Sequence, residues 1–170
     1  NTKTLSKNSI DKEISAEKKR DGKSAASIAK IKALEKKKEQ VERKAFNMKK
    51  KMSIPTHLKS LHDNWHFSPG VVVGDTLYIS GTIGFLPDGT IPVNPEDQYV
   101  ACFENVKAVL EEAGATFDNL VELKSFHTDL QHSLALFAEV KDRYVTDPYP
   151  TWTALGVREL SNKDLVVELN

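Results

Sequence analysis

From residue 24 to residue 52 the chain reads SAASIAKIKALEKKKEQVERKAFNMKKKM, with no proline or glycine, and Ile31, Leu34, Val41, Ala45, Met48 and Met52 recur at helical spacing. That period predicts a helix. Read as heptads, these residues fill the a and d positions, with Lys38 on an a position between them, so the apolar seam is thin. Before it, Asn1 to about Gly22 is mostly Lys, Ser, Asn, Asp and Glu, too poor in large apolar residues to offset the cost of ordering, and is predicted flexible. After it the period changes. VVVGDTLYISG is two short β runs joined at Gly74 and Asp75, and FLPDGTIPVNP carries a Pro-Asp-Gly turn. Asn94 and Pro95 then open a helix that turns Val100, Phe103, Val106 and Leu110 to one side and stops at Gly114. In LVELKSFHTDL, Val121, Leu123 and Ser125 alternate with Glu122 and Lys124, as in a strand covered on one face. A second helix turns Leu136, Phe137, Val140 and Tyr144 inward, and TWTALGV and DLVVELN supply two last strands. The predicted order is ββαβαββ, an α+β domain with helices on one face of a sheet.

Three stretches follow from this reading. Residues 1–52 form a basic extension, flexible then helical, residues 53–62 a linker, and residues 63–170 the folded domain. Charge divides along the same line. The chain of 170 residues is formally neutral, yet residues 1–52 hold 17 Lys and Arg against 7 Asp and Glu, a net of +10, which leaves −10 for the rest. The sole cysteine, Cys102, lies in a helical pattern and excludes an internal disulfide or a cysteine-based zinc cluster. No apolar run reaches the ~18 residues of a membrane span. A soluble cytoplasmic protein is expected, or one of an organellar matrix if a targeting peptide has been removed from a chain that here begins at Asn1.

The spaced segments FSPGVVVGDTLYISGTIG, NVKAVLEEAG, FHTDL, YPTWTALGVREL and LVVELN together resemble the Rid family, also called YjgF or L-PSP, over about residues 63–170. The resemblance implies a chorismate-mutase-like fold, a homotrimer with a cleft at each subunit boundary, and hydrolysis of imines and enamines such as 2-aminoacrylate and 2-iminobutanoate without metal or cofactor. Some relatives are described as ribonucleases or translation inhibitors. Carried onto this chain, the family's cleft-lining serine and glycine fall on Ser80 and Gly81, and the glutamate that positions water falls on Glu168. Two positions depart. The tyrosine that borders the cleft is Phe67, and the arginine that grips the substrate carboxylate bidentately is Trp152. Arg158, six residues along the same strand, lies roughly 20 Å off at ~3.3 Å per residue, too far to stand in. The sequence does not place Arg143.

The resemblance gives Glu168 as the candidate catalytic carboxylate and Phe67, Ser80, Gly81 and Trp152 as candidate substrate-binding positions; taken alone, Glu168 is one carboxylate in an apolar terminal strand and Ser80 a routine strand-end serine. Trp152 either fills the old cleft or stacks a flat ligand, with Phe67 as the opposing wall and Glu168 as the polar handle. No Ser-His-Asp arrangement supports Ser80 as a nucleophile. His62 and His66 are four apart, but Trp65 and Pro69 favour a loop there, no cysteine or H-E-x-x-H partner is present, and neither a metal nor a cofactor is expected. His127 at a strand end is expected to act as a structural hydrogen bonder. Three functions stay open: a pocket protein of an arginine-lacking branch, an imine or enamine deaminase of changed substrate range acting through Glu168, and a protein bound to nucleic acid, the ribosome or another acidic partner through residues 1–52.

Overall fold

The structure, a computed structural model, describes residues 6–21, 23–47 and 50–170. It separates into two compact units, Asn1–Lys50 and Lys51–Asn170.

In the first unit, helices α1 (Lys7–Asp21) and α2 (Ala25–Asn47) pair through Ile10 and Ile14 against Ile31, Leu34 and Val41. The flexibility expected before Gly22 is therefore corrected over Lys7–Asp21. Ile10 and Ile14 are only two large apolar residues, too few to signal a helix alone, yet Ile10 is fully buried once α2 covers it. Glu17 seals the same seam, with its carboxylate accepting from Ser27 Oγ at 2.9 Å, Lys30 Nζ at 2.8 Å and Arg20 at 3.2 Å. Lys7–Glu42 and Lys38–Asp11 pairs, each at 2.6 Å, fix the register at the other end. Met48, placed on the seam by the sequence, lies outside the described residues. Met52 is not helical at all.

Met52 belongs to strand β1 (Lys50–Ser53), which adds to β2 (Gly70–Val73) and β3 (Thr76–Ile79) in the sheet order β1-β2-β3. The folded domain thus begins some ten residues before the predicted boundary, and the stretch read as a linker is structured. Ser53 is buried and donates from Oγ to the Val109 carbonyl at 2.7 Å. Leu58 is 2 % exposed, and helix α3 (Lys59–Trp65) occupies the segment expected to be a loop, ending on His66 at φ 58°.

The remaining strands are β4 (Thr82–Ile83), β5 (Glu122–His127), β6 (Thr151–Gly156) and β7 (Val167–Leu169), in the order β4-β7-β5-β6. β7 runs antiparallel to both neighbours, and β5 and β6 are parallel, joined by α5 (Leu130–Lys141). Ser80 and Gly81 separate β3 from β4, and Asn170 Nδ2 bridges that break by donating to the Ile79 carbonyl at 3.0 Å. α4 (Pro95–Ala113) starts as read, with Asn94 Oδ1 accepting from the Glu96 amide and Pro95 in the first turn, and ends at Gly114, φ 82°. The core lies between the two domain helices and one sheet face. Tyr99, Phe103, Val106 and Leu110 of α4 and Phe137 and Val140 of α5 meet Leu123, Val167 and Leu169 there. Val121, expected on that face, precedes the ladder and is exposed, while His127 takes the third inward position of β5.

A two-residue period sorts the sheet. Leu77 and Ile79 pack on the core, so Tyr78 points the other way. Leu123, Ser125 and His127 are buried, so Phe126 points away with its ladder partners Leu155 and Glu168. Among the described residues of the second unit no helix packs on that second face, and Tyr78 and Leu155 on it are 64 % and 45 % exposed.

Candidate functional site

Glu168 stands on the helix-free face because Val167 and Leu169, on either side of it, are drawn into the core. Its ladder neighbours are Ile83 and Phe126, both half-buried. The carboxylate lies over Gly81, where a Cβ would stand 2.0 Å from Glu168 Oε1. A side chain at position 81 would push this carboxylate aside, so the glycine sets where the carboxylate lies rather than a backbone turn. Burial without a compensating donor pushes the Glu168 carboxyl above the usual carboxylate range. A carboxylate so placed accepts a proton from water, or holds a water on one lone pair, more readily than a solvated one.

Ser80 borders this carboxylate through the adjacent Gly81, but its hydroxyl is committed, donating to the Ser68 carbonyl at 2.8 Å. The Ser80 amide donates to Pro69 at 2.9 Å, which holds the Phe67–Pro69 segment beside the Ser80–Gly81 break. Phe67 itself is 37 % exposed. Ser80, Gly81 and Glu168 are therefore brought together, with Phe67 next to Ser68, the first of the two anchoring residues.

Trp152 is placed elsewhere. It is the parallel ladder partner of Leu123, which is buried among the helices, so Trp152 lies on the helix side of edge strand β6. Its Nε1–H donates to Ser125 Oγ at 3.0 Å, and its ring lies 5.9 Å from that of Phe137 on α5. Within one chain the indole and the Glu168 carboxylate face opposite sides of the sheet and do not share a pocket, so a single wall-and-handle cleft made by one subunit is excluded. The indole is 38 % exposed and borders a pocket of about 310 Å³ with Leu123, Lys141, Val145, Tyr149 and Pro150. Lys141, which sequence reading passed over, sets its Nζ 5.2 Å from the indole centroid. Neither arginine weighed as a substitute takes that place. Arg143 is held by Glu96 at 2.7 Å, and Arg158 lies beyond β6 beside Glu159.

Other polar side chains do structural work. Gln98, 1 % exposed, donates from Nε2 to the carbonyls of Pro92 and Asp164 and accepts from the Val166 amide, pinning two loops to α4. Asn105 donates to the carbonyls of Ile83 and Phe85, each at 3.0 Å. His127 is fully buried, with Nδ1 3.3 Å from Ser133 Oγ and Nε2 without a partner, and burial lowers its pKa. His62 pairs with Asp63, and no cluster of three or more His, Cys, Asp or Glu suited to a metal ion occurs among the described residues. The Cys102 thiol is buried, donates to the Thr82 carbonyl, and is pushed up in pKa by burial. A larger groove of about 600 Å³ along the outer side of α4, lined by Phe85, Leu86, Pro92, Val100 and Glu104 among others, includes none of the candidate residues. No helix among the described residues is long and apolar enough to cross a membrane.

Comparison with known proteins fits this frame. The YjgH protein of Escherichia coli, named as a RutC family protein, is 34% identical over 117 residues, 68% of this chain and 89% of its own length. A 2-iminobutanoate/2-iminopropanoate deaminase of Dermatophagoides farinae is 31% identical over 96 residues, 55% of this chain and 74% of that protein. Among solved structures, RidA of an Antarctic Psychrobacter superposes with a TM-score of 0.63 at 34% identity, covering 70% of this chain and 95% of its own. The family model described as Endoribonuclease L-PSP matches residues 58–170, the whole sheet from β2 onward with both helices that cover it, and on that match the chain belongs to the Rid/YjgF/L-PSP family.

Proposed function

We propose that this chain is a cofactor-free, homotrimeric small-molecule pocket protein whose reactive polar group is Glu168, and that hydrolysis of standard 2-imino acids is lost or greatly reduced in it. The observation that carries this reading is the Glu168 carboxylate, half-buried over Gly81 with its pKa raised, in a chain whose position 152, on the other sheet face, bears an indole. A 2-imino acid must be held by its carboxylate while water adds to the C=N carbon. A bidentate guanidinium does this in the relatives that the chain resembles, and Trp152 has no charge to offer. Losing such an anchor in a desolvated cleft forfeits several kcal/mol, at ~1.4 kcal/mol per decade of rate. The exposed apolar residues of the helix-free face, Tyr78 and Leu155, support the trimer, since sheet faces of this kind are covered by copies of the same chain in symmetric oligomers.

The test generates 2-aminoacrylate or 2-iminobutanoate with an upstream dehydratase and follows keto-acid release. The expected rate is the spontaneous one. Trp152→Arg is expected to restore little by itself, because Ser125 Oγ loses its donor and the ring contact with Phe137 disappears, whereas Trp152→Arg with Phe67→Tyr restores more. Acceleration by the unaltered chain that Glu168→Ala abolishes overturns the reading in favour of a deaminase of changed substrate range.

A second reading rests on the first unit. Its ion pairs draw Asp11, Glu17, Glu35 and Glu42 into contacts within the helix pair, while Lys12, Lys19, Lys32, Lys36, Lys37, Arg43 and Lys44 have no ion-pair partner among the described residues. The outward surface is thus more basic than its composition, and suits the phosphates of a nucleic acid. Such binding is independent of sequence and falls steeply with salt as counterions are released. Replacing Lys32, Lys36 and Arg43 by Gln is expected to reduce the slope of log K against log salt for RNA by up to about 3; an unchanged slope removes this reading.

A further inference from the structure

The pocket on the helix side of β6 is built from groups that do not otherwise need each other. Trp152 closes one wall, Tyr149 and Pro150 form the rim, and Leu123 and Val145 supply an apolar base. Into this apolar setting α5 sends the ammonium of Lys141, whose side chain is only 12 % exposed and stands over the indole face. A lysine normally keeps its charged end in water along a flexible stem. Here the stem is covered and the charge is held against a ring. Among the described residues its hydrogen-bonding partner is the carboxylate of Asp142, the next residue, which is itself 65 % exposed. An exposed counter-ion on an adjacent residue can swing into solvent at little cost, so the cation is available to a second anion. The nearby helix-end carbonyls do not compete for it, because Ala138 and Val140 accept from the Asp142 and Arg143 amides and Lys141 accepts from the Tyr144 and Val145 amides.

We propose that this pocket binds a small planar carboxylate, with the carboxylate on Lys141 Nζ in place of Asp142 and the flat apolar body against Trp152 and Tyr149. The volume, about 310 Å³, is at the lower end of ligand pockets and suits a single ring. Charge selects the anion, since a neutral analogue leaves the Lys141–Asp142 pair intact and gains only the apolar contact. The aromatic walls select a flat ligand over a branched one of equal charge. The site lies on the opposite sheet face from Glu168 and does not depend on the function proposed for that residue.

The test uses the full chain with Trp65→Phe, which leaves Trp152 as the one indole reporter, and titrates benzoate against benzamide while following tryptophan emission. Benzoate is expected to quench emission saturably with a Kd on the order of 1 mM. Benzamide is expected to bind at least tenfold more weakly. Lys141→Met should weaken benzoate tenfold or more, and Asp142→Asn, which removes the competing anion at an exposed position, should tighten it severalfold. Equal binding of benzamide, no saturable response, or benzoate affinity unchanged in Lys141→Met overturns the proposal. If Lys141→Met fails to fold by circular dichroism, the Asp142→Asn result decides, and unchanged or weakened affinity there overturns it equally.

Discussion

A carboxylate laid over a glycine and lacking a donor is destabilised in its charged form, and the sign of that effect is measurable at Glu168. Its folded-state pKa is raised by burial, so above the unfolded glutamate value of ~4.3 the folded chain binds more protons than the unfolded one. Stability therefore falls as pH rises through that window. Glu168→Gln removes the penalty, and its melting temperature is expected to exceed that of the unaltered chain at pH 7, with the difference shrinking toward zero near ~pH 4. A difference that is constant across pH would mean that the carboxylate is not desolvated. At the same scale, Glu168 and Gly81 were legible in the sequence through the resemblance, and Trp152 was legible as a replacement. Lys141 was not, because its partner over the ring is eleven residues away on another element and a lysine in a helix reads as an ordinary solvated charge.

Between elements, two glycines make opposite demands. Gly81 faces the tip of a side chain, Glu168 Oε1, which can rotate away. Gly84 faces the backbone of α4, where a Cβ would stand 2.1 Å from the Gln98 carbonyl oxygen. That oxygen cannot move without shifting the helix that carries Tyr99, Cys102 and Phe103 into the core. Gly84→Ala is expected to cost about 1–3 kcal/mol, as overpacking does, and Gly81→Ala distinctly less, both read from urea midpoints at constant m-value. Equal losses would show that the β4–α4 contact is looser than the geometry implies. The same scale explains the misreading of α1. The α2 period was visible because its apolar residues run for five turns, whereas α1 offers Ile10 and Ile14 and a buried Glu17, a pattern that becomes a helix face only when α2 supplies the partners.

For the whole molecule, the helix-free sheet face and strand β1 set how the chain can be divided. Cutting at Thr56, inside the 53–62 stretch that the sequence alone reads as a linker, would strip β1 from the β1-β2-β3 sheet and remove the Ser53 contact with α4. Cutting before Lys50 leaves the second unit whole. Removal of residues 1–49 is expected to leave a trimer by sedimentation, because the exposed apolar face lies entirely on the sheet, while removal of residues 1–55 is expected to lower the melting temperature by several degrees. A monomer from the shorter deletion would assign trimer formation to the helical hairpin.

Periodicity and turn chemistry determined the strands around Gly74, the capped α4, the β5–α5–β6 crossover and the burial of Phe103, Phe137 and Leu123, because each depends on residues a few positions apart. Spaced segments determined the family in the same local way. What only the tertiary structure decided depends on ladder register. A residue's face is set by the strand beside it, and register put Trp152 with Leu123 on the helix side and Glu168 with Phe126 on the other. β1 was hidden for the same reason, since Lys50–Ser53 has little strand character until β2 offers it an edge, and the cation over Trp152 came into view only when α5 folded back across β6.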